Sequence, residues 1–326
     1  MWNQLKKLFS AFGPFVGLIV VYVVFFFWAP DAFHSLYNTK TFLTQTVIYG
    51  IAAMGMTVII ISGGIDLSVG SLVALGTVVS AKVLQAWGGP DMSMWVPLVA
   101  ALCGILACSF CGLITGTIVA TLGIVPFIVT LGMMQVARGA AKGVAEQTTV
   151  NAPQSWLNDL MLVEPTPGAW YSVAPAVWIM LVLAAAMYVL LKYTVFGRRV
   201  FAIGSNEDTA RLCGIRVRLN KLFIYVVGGT FAGIASVMQF ANLRLGDPTA
   251  AVGMELTVIA AVVIGGGSLR GGEGSVIGSL VGALIMAVLR NGCNLVGIPN
   301  YVQNIVIGTI IITAVGVDRL RHARQS

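Results

Sequence analysis

The chain has 326 residues, 58% of them hydrophobic and only 10% charged, with a net charge of +7 and a mean hydropathy of +0.92. A soluble domain carries about 25% charged residues, so there is too little polar surface here to cover a globule in water, and lipid must be the solvent. The basic residues do not form a patch interleaved with aromatics, which argues against a nucleic-acid partner.

A helix crosses a bilayer with about 20 mostly apolar residues. In chain order, charge-free windows over residues 11–28 and 43–61 predict one helix each. The first follows Lys6 and Lys7, is longer than a signal-peptide core and lacks a small-residue cleavage site, so it reads as an uncleaved span. Residues 92–137 suffice for two helices with a break at Leu122-Gly-Ile-Val-Pro126; windows at 165–191, 222–243 and 291–317 follow. Three shorter windows, 67–81, 256–269 and 274–289, each adjoin a Gly-rich junction. Counting them as spans predicts an all-α membrane protein, one domain over residues 1–326, with about ten transmembrane helices and Gly-rich broken segments.

Charge sets the orientation, because basic residues stay on the cytoplasmic side. With ten spans and a cytoplasmic N-terminus, the loop 192–221 lies inside with Lys192, Arg198, Arg199, Arg211, Arg216, Arg218 and Lys221. Lys6, Lys7, Arg270, Arg319, Arg321 and Arg324 fall on the same side, leaving Lys40, Lys82, Arg138, Lys142, Arg244 and Arg290 outside. Both termini are then cytoplasmic. The stretch 142–172 becomes the largest external loop, with an amphipathic segment at 156–163 that suits the membrane surface.

Cys103, Cys108 and Cys111 share one apolar stretch, and His34 and His322 stand near opposite ends, so neither a metal site nor a disulfide framework is expected. Small residues recur at four-residue spacing in Gly112/Gly116, Gly229/Gly233 and Gly274/Gly278/Gly282, a pattern that lets helix backbones approach closely in lipid.

Two Gly-rich junctions carry more information. The first holds Gly63, Gly64, Asp66 and Gly70; the second holds Gly265, Gly266, Gly271, Gly272 and Gly274. Each leads into a similar helix start, Ser68-Val-Gly-Ser-Leu-Val73 and Ser275-Val-Ile-Gly-Ser-Leu-Val281. Paired, Gly-interrupted segments point to the core of a transporter, because broken backbone at membrane depth is tolerated only against protein or a watery cavity. Tight loops at the membrane face are the simpler alternative. Asp66 and Glu273 can satisfy free N–H groups at the neighbouring helix starts.

Within 192–221 a short helix is written in miniature. Ser205-Asn-Glu-Asp208 has the capping-box pattern, Glu207 and Arg211 form an i,i+4 pair, and Gly214 suits a left-handed helix end. A helix of eight or so residues does not persist alone in water, so the rest of the chain or a cytoplasmic partner must dock on it.

No G-x-x-x-x-G-K-[ST] loop occurs, so no nucleotide site is expected in this chain. No Ser/His or paired-carboxylate constellation sits at membrane depth, so no enzyme activity of its own is expected. Charges lie at predicted helix ends, which argues against proton coupling.

The stretch Gly55-Met-Thr-Val-Ile-Ile-Ile-Ser-Gly-Gly-Ile-Asp-Leu-Ser-Val-Gly70 closely resembles a signature of the ribose/xylose/galactoside-type permease subunits of bacterial ABC importers. Phe196-Gly-Arg-Arg-Val-Phe-Ala-Ile-Gly-Ser-Asn206 and Ala261-Val-Val-Ile-Gly-Gly-Gly-Ser-Leu-Arg-Gly-Gly-Glu-Gly-Ser275 are similar to the same family, and so is Asn291-Gly-Cys-Asn-Leu-Val-Gly297. The four motifs run in order from about residue 43 to the end. The resemblance implies a multi-pass protein of the bacterial inner membrane that works as a homodimer, with a cytoplasmic ATP-binding subunit and a periplasmic sugar-binding protein. It implies further that ATP and Mg²⁺ bind the partner ATPase, with no cofactor on this chain. Ser205, Glu207, Asp208, Ala210, Arg211 and Gly214 would form the coupling helix, with Asp208 for the family's usual Glu and Thr209 for its first Ala. Phe127 and Thr130 resemble the family's apolar-polar run on the fifth span. A neutral sugar favours hydroxyl, amide and aromatic lining, which makes Gln45, Phe127, Thr130, Asn242 and Gln303 candidates. A sodium-coupled secondary transporter or a passive channel for a small polar solute are the other classes.

Overall fold

The structure, a computed structural model, describes residues 2–89, 92–167, 169 and 171–323. Arg324 and the side chains of Lys6, Lys7, Arg319, Arg321 and His322 lie outside the described residues.

Helices α1 (Trp2–Trp28), α2 (Leu36–Ile61), α3 (Val69–Trp87), α4 (Trp95–Leu122) and α5 (Pro126–Val144) come first. A two-residue strand β1 (Val150–Asn151) precedes α6 (Pro175–Tyr193), α7 (Val195–Ser205), α8 (Glu207–Leu212) and α9 (Val217–Leu243). Strand β2 (Leu245–Gly246), α10 (Met254–Ile264), α11 (Val276–Val296) and α12 (Asn300–Ala323) complete the chain. Among the described residues six helices are long and apolar enough to cross a membrane: α2, α3, α4, α6, α9 and α11.

Apolar pattern decides which of these is central. From Gly50 to Ile61 helix α2 is almost wholly apolar and buried all round, and the helix packs against α9, α11, α10 and α6. By contrast α4 keeps a stripe open at Leu102, Leu106, Phe110 and Leu113, spaced for one helical face that suits lipid. Its other face carries glycine. A Cβ on Gly116 would come 2.9 Å from the Leu222 carbonyl, and one on Gly233 would come 2.7 Å from the Ile105 Cα, so α4 and α9 touch backbone to backbone. The stripe on α11 does the same inside the subunit, with Gly278 against Gly265 and Gly282 against Ala261.

Several expectations from sequence need correcting. Helix α11 runs on to Val296 and ends at Gly297, whose φ of +82° closes it; the last helix starts at Asn300, not at 291. Arg290 therefore stands six residues short of the end of α11, inside the bundle and not in an outer loop. Arg138 likewise lies within α5. In the segment 156–163, residues Trp156–Met161 form a 3₁₀ helix that buries Leu157 and Met161 against the bundle. Lys40 is 1% exposed and fastens the same loop to α2, donating to Glu164 at 2.6 Å and to the Ala169 carbonyl at 2.7 Å.

The largest departure is the connection between α9 and α10, which reads as an outer loop. Leu245 and Gly246 pair antiparallel with Asn151 and Val150, and the chain then turns inward along α3. Gly246 packs on Thr77 and Ala81, whereas Ala251 and Glu255 pack on Gly70 in the first turn of α3. Gly70 to Thr77 is two helical turns, about 10 Å. Non-helical backbone thus runs beside a spanning helix, with its carbonyls covered: Arg138 donates to those of Pro248 at 3.0 Å and Ala250 at 2.7 Å. Helix α10 then rises only about 16 Å, half the hydrocarbon thickness.

Replacing Gly229 with Val pushes a side chain into the Cys108 carbonyl, 2.6 Å from where its Cβ would sit. The variant should lose roughly 1–3 kcal/mol, read as a lower melting temperature of the detergent-solubilised protein. Gly132→Val, with nothing within 4 Å, should melt like the parent; equal shifts would remove the α4–α9 contact from the account.

Candidate functional site

Both Gly-rich breaks begin with the same helix terminator. At the end of α2, the Gly63 N–H donates to Ile60 and the Gly64 N–H to Ile59; at the end of α10, Gly266 donates to Val263 and Gly267 to Val262. Gly63 and Gly266 have φ of +82° and +92°, which glycine alone adopts without strain. Past the first terminator Asp66, 3% exposed, accepts the Ser68 N–H at 2.7 Å and the Ser68 hydroxyl at 2.6 Å, turning the chain into α3. Past the second, the Ser275 side chain accepts the Gly278 N–H and starts α11.

The breaks meet. The Gly272 N–H donates to the Ile61 carbonyl at 2.8 Å, and Gly271 lies against Gly63, where an added Cβ would come 3.0 Å from its Cα. Gly274 sits over the Ile61 side chain. The end of α7 closes the junction from a third side, with Gly204 on the Ile61 carbonyl and Ser205 on Gly272. Gly70 serves elsewhere, against Ala251 of the inward loop and Glu255 of α10, and Gly265 lies on α11.

From this junction the chain enters α8. Its N-cap is Asn206, whose Oδ1 accepts the Thr209 N–H at 2.8 Å. The expectation that Ser205 caps it fails because α7 runs through Ser205, leaving Asn206 as the first extended residue. Sequence reading missed α7 altogether. Its signal was Thr194, which caps it by accepting the Gly197 N–H. Glu207 bonds Arg211 at 3.2 Å and Lys221 of α9 at 2.6 Å, tying α8 to the helix that follows. Asp208 is exposed, 3.8 Å from Arg211. Gly214, at φ +81°, ends α8 with the terminator seen at both breaks: its own N–H donates to Arg211 and that of Ile215 to Ala210. Ala210 is buried with Ile203 and Val217 in a small core shared by α7, α8 and α9, while Leu212 is 89% exposed. What docks on the inner face of α8 is the chain itself; the outer face stays open.

The five lining candidates are not gathered in one place. Thr130 is buried, donating to the Ile65 carbonyl at 3.1 Å and so joining α5 to the first break. Gln303 is used to hold the α11–α12 turn, donating to Asn294 at 2.8 Å and to the Ile298 carbonyl at 2.9 Å. Phe127 and Asn242 are exposed, and Gln45 is half-buried.

Cap assignment makes a measurable difference. Asn206→Ala should cost α8 about 1 kcal/mol, or about fivefold faster amide exchange over residues 207–212. Ser205→Ala should leave that exchange unchanged, and the reverse pattern would restore Ser205 as the cap.

Residues 38–315 match the family described as branched-chain amino acid transport system / permease component. The chain is 38% identical over 315 residues to the ribose import permease protein RbsC of Escherichia coli, covering 94% of this chain and 93% of that one. It is 34% identical over 326 residues to the galactose/methyl galactoside import permease protein MglC of the same organism, covering 96% and 95%. To the D-allose transport system permease protein AlsC it is 31% identical over 309 residues, covering 95% and 91%. No solved structure matches. An all-α, multi-pass chain matched over nearly its whole length belongs to this family of permease components, the membrane-spanning part of a transport system.

Proposed function

We propose that this chain is the permease subunit of an ATP-driven importer of a monosaccharide or related polyol. The observation that carries the reading is near-complete alignment with import permeases named for ribose, allose and galactose. The geometry supports it too: the helix that a cytoplasmic ATPase would grip, α8, is anchored on the junction of the two broken segments. Two copies pair in the inner membrane around a central pathway. The ATP-binding subunit docks on α8 from the cytoplasm, and a periplasmic binding protein delivers the sugar. ATP and Mg²⁺ bind that partner, and this chain carries out no covalent chemistry. Ten passages result when α10 and the inward loop before it count as one, together with α1 to α6, α9, α11 and α12, placing both termini in the cytoplasm.

Reconstitution in liposomes tests this. Uptake of labelled D-ribose, D-allose or D-galactose should require the ATPase, the binding protein and ATP; uptake by the permease alone would favour a secondary carrier or channel. Gly214→Val places a β-branched residue in a left-handed conformation, costing roughly 1–2 kcal/mol. It should cut coupled uptake severalfold while leaving membrane insertion intact, and unimpaired uptake would deny α8 its coupling role.

A further inference from the structure

Arg290 is an unusual residue for the interior of a spanning helix, because a charge there is costly and marks function unless it is paired. Its guanidinium donates to the Tyr49 hydroxyl of α2 at 3.1 Å and to the Thr257 hydroxyl of α10 at 3.2 Å, and it lies 5.5 Å from the Tyr49 ring centroid. Both acceptors are neutral, and among the described residues no carboxylate forms an ion pair with it. Two of its five N–H donors are used; its Nε–H is buried without an acceptor.

The same side chain lines a cleft of about 210 Å³. Across from it stands Gln239 of α9, whose amide makes no hydrogen bond among the described residues. Tyr49 accepts from Arg290 and keeps its own proton to donate. Apolar walls come from Ile48 and Met254, and the inward loop forms the rim through Ala251 and Val252, the latter 75% exposed. Ala251 has a φ of +58°, an uncommon conformation for a residue with a Cβ, and it is held there by the Arg138 bond to the preceding carbonyl. Gln45 lies one turn from Tyr49 on the same face of α2, and Asn242 one turn from Gln239 on α9. Polar groups thus continue from the cleft toward the β1–β2 end of the molecule.

A cleft whose exposed lining is mainly polar, with small apolar contacts from Ile48 and Met254, suits a small hydroxyl-rich molecule. We propose that this cleft, framed by Tyr49, Gln239 and Arg290, is a binding station for a neutral, hydroxyl-rich solute on its way through the permease. Hydroxyl and ring oxygens take the spare donors of Arg290 and the Gln239 amide, while the C–H face of the solute lies on Ile48 and Met254. Neutral solutes suit passage better than acidic ones. A carboxylate would pair with the guanidinium in a bidentate, charge-assisted fashion, and such a pair in a low-dielectric site is slow to part. Passage requires holding that is firm enough to admit the solute and weak enough to release it. The assignment rests on the importer reading and adds to it a place where the solute is held.

Saturation-transfer NMR on the full-length permease in nanodiscs tests it, with D-ribose and D-galactose as neutral probes and D-glucuronate as the acidic one. The neutral sugars should give signal, and Arg290→Gln and Gln239→Leu should each raise the half-saturating concentration about tenfold. The lipid-facing Leu106→Ala should bind as the parent does. If Arg290→Gln does not fold, Gln239→Leu on the opposite wall decides alone. Signal from D-glucuronate only, signal from none of the sugars, or unchanged binding in Gln239→Leu would each overturn the assignment. Uptake by the complete importer separates the two levels. No sugar uptake under any condition removes the importer reading, whereas normal uptake and binding in the cleft variants removes only the station.

Discussion

Much of the architecture turns on the carbonyl oxygen of Ile61. In lipid every backbone polar group must find a partner inside the protein, and a helix that stops at membrane depth leaves its last carbonyls without one. Helix α2 ends at Ile61, and that carbonyl is met by the Gly272 N–H from a segment more than 200 residues away. Contact at that distance needs bare backbone on every side, so Gly63, Gly204, Gly271 and Gly272 crowd around it. The terminator at each helix end satisfies neighbouring carbonyls by the same two bonds. A chain can break its helices within a membrane only if several breaks are brought together to serve one another.

Backbone-dominated features were the most legible in sequence. Charge-free windows located the helices, because α4 and α5 divide at the Gly123–Pro126 break and α9 ends at Leu243 as its pattern indicates. Gly63, Gly214 and Gly266 announced reversals, since few residues other than glycine accept those angles. What stayed hidden was long-range. Nothing near Leu245 says that it will pair with Asn151, or that the chain beyond it turns inward along α3. Asp247-Pro-Thr-Ala-Ala-Val-Gly253 reads as an ordinary polar turn, and only its partner Arg138, 110 residues earlier, reveals it as buried backbone. The candidate site divides the same way: the glycine breaks and the short helix α8 were readable one by one, but their meeting at Ile61 was not. Lining residues chosen by side-chain type were the least secure, because Gln303 and Thr130 spend their polar groups on helix ends.

Two arginines within helices change how charge is read here. Arg138 spends its donors on the carbonyls of the inward loop, and Arg290 keeps donors in reserve beside a cleft. The first bonds backbone carbonyls and the second neutral side-chain hydroxyls, although hydropathy treats them alike. The difference lies in the acceptors each one meets.

Ile203, Ala210 and Val217 come from three successive helices and close on one another. A six-residue helix held in this way, with Glu207 bonded across to Lys221, has no internal joint at which to bend. Gly204 and Ser205, which precede it, press directly on the Ile61 junction. In mechanical terms the three-residue core braces α8 against the seam between the two broken segments.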